Sequence, residues 1–224
     1  MNHLGRVYSL KQLLNQPLTK LYAEQRRSYQ GKTLLFHTIA YHAAPVLENL
    51  KPAVLLVFNA GKLNLAALWR SYRRELTWQA PLEFFQLKTS SRSIVVLFYR
   101  RDAISVILKD PHHETFLKEF GYEPHNTVQK NLSLLRKSFK RGICHEIGLF
   151  LGIPLQDVLC FMRERGCSPI FIGCWKVYHK PEYALSVFYH FKAAKKKYLE
   201  SLQSGQGPEA YLAQFRYSDD RVKI

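Results

Sequence analysis

Two short apolar periodicities meet at Gly152-Ile153-Pro154, and no single regular element runs through that tripeptide. Ile147, Phe150, Leu151 and Pro154 recur at helical spacing, and Gly152 stands where a helix favours a left-handed residue just past its end. Pro154 suits the first turn of a following helix, predicted over 155–165. There Leu155, Val158, Leu159 and Met162 form one apolar stripe, Asp157 complements the positive end of the dipole, and Gly166 is the stop. The chain must therefore make a helix, a tight corner and a second helix, with the apolar stripe in a core.

Titratable residues crowd the entrance to this corner. A helix start offers free backbone N–H groups and the positive dipole end, which would lower the pKa of a thiol at Cys144 and disfavour protonation of His145. Glu146 in a first turn stabilises a helix by a few tenths to roughly 1 kcal/mol, whatever else it does. Two readings follow: a capped helix packed at a corner, or a catalytic pair of His145 and Glu146 with Cys144 alongside. The string is not a zinc-protease motif, because Leu149 occupies the place of the second His.

The segment His145-Glu146-Ile147-Gly148-Leu149-Phe150-Leu151-Gly152, followed by Pro154 and Asp157-Val158, resembles the hallmark of a bacterial family designated domain of unknown function 3793. Tyr41-His42-Ala43-Ala44-Pro45-Val46-Leu47 with Leu50-Lys51-Pro52-Ala53, and Gly173-Cys174-Trp175-Lys176-Val177-Tyr178, resemble two further stretches of that family. Together they span about residues 35–200. No established activity comes with the resemblance. It implies a site that draws on His42 and on the segment at His145, with Cys144, Trp175, Lys176 and Tyr178 as ligand contacts. The chain departs from the pattern at Ala43, where the family carries Cys, at Cys144, where it carries Pro, and at Cys174, where it carries Tyr. A thiol beside His42 is thus missing from this chain.

With 224 residues, 47% of them hydrophobic and 22% charged, the composition is that of a globule with one good core. No run approaches the roughly 18 apolar residues of a membrane span, and the first 30 residues lack the apolar core of a signal peptide, so a cytoplasmic location is expected. Cys144, Cys160, Cys167 and Cys174 form no Cys-x-x-Cys pair, which predicts free thiols, Cys160 buried among them, and no metal site. A net charge of +16 favours anionic partners such as a phosphate-rich cofactor, nucleic acid, an acidic protein or an anionic lipid surface, without choosing among them.

In chain order the pattern predicts an N-terminal helical arm over 1–32, broken at Pro17, then a single α+β domain over 33–203 and a polar, loosely attached tail over 204–224. Within the domain, 33–47 is an apolar helix, Pro52 to Phe58 a central strand, and 64–76 an amphipathic helix. Leu82 to Leu87 and Ser93 to Tyr99 make a hairpin, and helices follow over 103–109, 113–120 and 126–140. After the corner, Pro169 to Tyr178 is the last strand, and a basic helix runs from Pro181 to about Leu202. This order predicts a mixed sheet of about four strands in a ferredoxin-like split β-α-β layout, with extra helices. It also predicts that His42 and His145 approach each other.

Function divides three ways on these residues. The first reading is a small-molecule or cofactor site for an anionic ligand, of unspecified identity and with or without turnover, around His42, Cys144, His145, Glu146, Trp175, Lys176 and Tyr178. The second is a nucleic-acid-binding module using Arg70, Arg73, Arg74, Lys192, Lys195, Lys196 and Lys197 with nearby aromatics. The third is an adaptor that reads an acidic protein through the same charge.

Overall fold

Three seven-residue strands rich in branched and aromatic side chains form the spine of the molecule: β1 (Ala53–Asn59), β2 (Glu83–Thr89) and β3 (Ser93–Tyr99). They pair antiparallel in the order β1-β3-β2. The computed structural model describes residues 18–76, 82–142, 144–163 and 168–215. Strand periodicity sends alternate side chains to opposite faces. Leu56, Phe58, Ile94, Val96 and Phe98 enter one core, and Ala53, Phe85, Leu87, Leu97 and Tyr99 enter another.

Helices cover both faces. The first core lies under α1 (18–28), α2 (Gly31–Leu47), α3 (Leu65–Leu76), α9 (Pro181–Gln203) and α10 (Pro208–Gln214). The second lies under α4 (Arg101–Lys109), α5 (Pro111–Glu119), α6 (Val128–Arg141), α7 (Ile147–Phe150) and α8 (Leu155–Arg163). α2 is apolar on all sides and is buried almost throughout, against α3, α9, α10 and β1. Helix starts follow local chemistry: Asp110 accepts from the His112 N–H at 2.9 Å with Pro111 behind it, and Thr127 accepts from the Lys130 N–H at 3.2 Å.

Several expectations are corrected. The sheet has three strands and is antiparallel, not mixed. Instead of supplying a fourth strand, Pro169 to Tyr178 folds on itself into a separate two-stranded hairpin, β4 (Phe171–Ile172) with β5 (Lys176–Val177). The turn between them is held by the Gly173 N–H donating to Trp175 O at 2.9 Å. β1 is an edge strand, and β3 is the central one. The region after Ser204 is not a loose tail as far as residue 215: α10 buries Tyr211 and Leu212 in the first core. The arm is likewise tied down, since Tyr22 of α1 lies in that core. Cys160 is half-buried. The break at Pro17, the stop at Gly166 and Cys167 lie outside the described residues, among which no helix is long and apolar enough to cross a membrane.

Candidate functional site

The corner forms as the sequence requires. Gly152 has φ +80°, the Gly152 N–H donates to Leu149 O at 2.9 Å, and the Ile153 N–H donates to Gly148 O at 2.9 Å, the paired bonds of a Schellman motif. Gly148 lets α8 come close, because a Cβ there would stand 2.7 Å from Val158 Cγ2. A Cβ on Gly152 would stand 2.8 Å from Pro52 Cδ, so the corner sits directly on the residues that lead into β1.

Asp157, on the first turn of α8, is 2% exposed and does more than complement a dipole. Its carboxylate accepts from the Trp175 indole N–H at 2.8 Å, the Tyr178 N–H at 3.0 Å and the His179 N–H at 2.9 Å, with His179 Nδ1 at 3.5 Å. Three donors onto one buried carboxylate fix the β4–β5 hairpin and the start of α9 against the corner. Trp175 also packs edge-on against Phe188 at 4.4 Å, and Gly173 is required because a Cβ there would collide with that ring.

These supports enclose a cleft of about 1170 Å³ between the corner, the α2–β1 connection, α4 and the first turns of α9. Its apolar wall includes Pro52, Val106, Ile153 and Phe191, and its charged groups are Lys51, Arg100, Lys180 and Asp102, with His113 and His179 beside them. Asp102 is already engaged by Arg100 through two bonds of 3.2 and 2.7 Å, which lower its carboxyl pKa. Lys180 holds the left-handed conformation at φ 44°, unusual for a residue with a side chain, where the chain turns into α9. Burial, reinforced by the nearby Lys195 ammonium and opposed by Cys174, pulls the Lys51 pKa down to about 8.

The residues singled out from sequence do not line this cleft and are dispersed through the fold. Glu146 is 1% exposed and turns into the second core, where it accepts from the Tyr122 hydroxyl at 3.3 Å. Burial and then the Glu146 charge push the Cys144 thiol up to about 12, against the N–H of Ile147 that pulls it down. The expected lowering fails because α7 has only four residues, too short for a dipole to outweigh desolvation. His145 packs edge-on against Phe161 at 5.6 Å, and the Lys176 ammonium lies over the same ring at 5.0 Å. His42 does not approach His145. It sits with Tyr22 and Tyr41 on the opposite face of the sheet, lining a gap of about 490 Å³ between α1, α2 and β1. Its pKa falls to about 4 through burial and then Lys195, His37 and Arg26. Trp175 and Tyr178 meet at the Asp157 anchor.

The basic set is partly spent on the fold. Arg73 donates to Gln86 at 3.3 Å, Lys195 lies over the Tyr41 ring at 5.2 Å, Lys196 pairs with Glu200 at 3.2 Å and Lys197 with Glu48 at 2.8 Å. Arg70 is exposed and Lys192 half-buried. Among the described residues no group of three or more His, Cys, Asp or Glu is placed to hold a metal ion.

Sequence reasoning gave no site role to Asp157, Lys51, Arg100 or Lys180. Asp157 and Lys51 carried a signal, their place in stretches that resemble the family. No curated protein and no solved structure matches the chain. The profile described as "Protein of unknown function (DUF3793)" matches residues 39–212, a span that takes in the second half of α2, the sheet, the corner, the Asp157 anchor and every residue named on the cleft, and the chain belongs to that family.

Proposed function

We propose that the chain binds an anionic small molecule with an apolar portion in the cleft between the corner, α4 and α9. The observation that carries this reading is the convergence of Lys51, Arg100 and Lys180 on one cleft whose sole carboxylate, among the described residues, is Asp102, itself held by Arg100. A concave site with apolar walls and a few convergent charges is the ordinary form of a small-ligand pocket. The ligand's anionic end would meet the cations and its apolar end the wall at Val106, Ile153 and Phe191. His145 and Glu146 then act through the corner: they shape the wall without touching the ligand.

The test is a thermal-shift and calorimetric comparison of phosphate- and carboxylate-bearing small molecules with neutral analogues of the same shape. Anionic members are expected to raise the melting temperature, and Lys180→Glu to abolish that effect while leaving the unliganded melting temperature nearly unchanged. If neutral and anionic members behave alike, or Lys180→Glu binds as well as the parent, the reading is wrong. The nucleic-acid and acidic-adaptor readings lean on a surface whose α9 lysines are largely engaged within the fold.

A further inference from the structure

Lys51 differs from the lysines that decorate the surface. Lys32, Lys118, Lys196 and Lys197 each have a carboxylate within 3.1, 2.6, 3.2 and 2.8 Å respectively. Among the described residues Lys51 has no carboxylate within ion-pair distance. Its ammonium lies 5.2 Å from the centroid of the Phe191 ring, and its Cβ lies 3.9 Å from where Gly152 would carry one. The ammonium of Lys195 and the titratable thiol of Cys174 are near enough to act on its charge. A lysine shielded by apolar surface and set beside another cation is the standard arrangement for an amine nucleophile.

From this placement we infer that Lys51 is the nucleophile of the cleft and captures a carbonyl-bearing anion as an imine. The inference rests on the ligand-binding reading above and adds the class of ligand: an aldehyde or ketone carrying a carboxylate or phosphate. Arg100 and Lys180 would hold the anionic group. The neutral Lys51 amine attacks the carbonyl carbon; as the N–C bond forms, the C=O π electrons move to oxygen, which takes a proton from solvent while the nitrogen gives one back. The resulting carbinolamine loses its hydroxyl with one proton as water, and the nitrogen lone pair closes the C=N bond. Amine and carbonyl thus yield imine and water, with no oxidant or reductant. A pKa near 8 leaves a useful fraction of the amine unprotonated close to neutrality. Burial sets this titration first, then Cys174 in the β4–β5 turn, which opposes it, and Lys195 on α9, which reinforces it; the Arg100–Asp102 pair, His113, His179 and Lys180 face the same cleft.

The experiment uses pyridoxal 5′-phosphate, a phosphate-bearing aromatic aldehyde, trapped with borohydride and mapped by peptide mass spectrometry, beside pyridoxine 5′-phosphate, the same anion without the aldehyde. Below one equivalent of reagent, Lys51 is expected to be labelled roughly tenfold faster than exposed Lys62 and Lys88. The labelling rate should rise with a midpoint near pH 8, and Lys195→Met should move that midpoint upward. Lys51→Arg, with an unchanged far-ultraviolet spectrum, should lose the adduct. Labelling spread evenly over surface lysines of the folded parent protein overturns the inference, and this outcome needs no variant to fold. If pyridoxine 5′-phosphate binds and Lys51 stays unlabelled, the imine falls and the anion site stands; if neither reagent engages the cleft, both fall.

Discussion

Asp157 shows how much one buried carboxylate can organise. Its oxygens take the buried Trp175 indole N–H, which loses its partner if the acceptor is removed, and two successive, part-buried backbone N–H groups. Asp157→Ala should therefore cost about 2–4 kcal/mol, and Asp157→Asn a smaller amount, since it keeps one acceptor and turns an amide NH₂ toward donors. Urea unfolding followed by tryptophan fluorescence measures both, and an unchanged midpoint for Asp157→Ala would mean that the hairpin stands without its anchor. From sequence this residue reads as an ordinary first-turn Asp, because its partners lie 18–22 positions away and nothing local announces them. Cys144 misleads in the opposite direction. Its position before a helix suggests an activated thiol, and the fold buries it beside Glu146, leaving it protonated at neutral pH.

Among elements, those written into consecutive residues were legible. Alternation on both sides of Lys88-Thr89-Ser90-Ser91-Arg92 identified the β2–β3 hairpin, and Gly152 with Pro154 identified the corner. β1 reads as central because its run from Pro52 to Phe58 is apolar on both faces, and it does send side chains into both cores, but strand order depends on which neighbour β3 accepts on each side. The supposed fourth strand failed at Gly173, where the Phe188 ring takes the space of a side chain and the chain reverses. The cleft was illegible for a related reason: Lys51, Arg100 and Lys180 come from three distant loops, and only the assembled corner brings them to one cavity. The α7–α8 crossing makes a sharp prediction. Gly148→Ala should destabilise by about 1–3 kcal/mol, because the new methyl meets Val158, and Val158→Ala should relieve it. In the double variant the loss should fall short of the sum of the single losses by about 1 kcal/mol; strict additivity would mean that the two helices do not press on each other there.

At the scale of the whole molecule, acidity is a weakness. Burial first, and then nearby cations, hold His37 and His42 near a pKa of 4, below the ordinary 6.5. The unfolded chain therefore binds protons that the folded chain refuses, so their contribution is complete above pH 6.5 and is lost as the pH falls toward 4. Between pH 7 and 4.5 the unfolding free energy should fall by on the order of 3 kcal/mol from these two groups, the half-buried His42 giving the smaller share. Urea titrations of the parent and of His42→Gln should diverge over that interval, the variant losing less; parallel curves would show that His42 titrates as it does in the unfolded chain. The sheet has a different asymmetry. Its β2 edge carries a register shift between Gln86 and Lys88, an exposed lysine, and Glu83 gripped by Tyr99 and Arg101. The β1 edge has no charged residue from Ala53 to Ala60, and Val57 is 49% exposed. The two edges of one sheet are therefore defended unequally: a strand added at β2 would meet a broken register and fixed charge, and one added at β1 would meet neither.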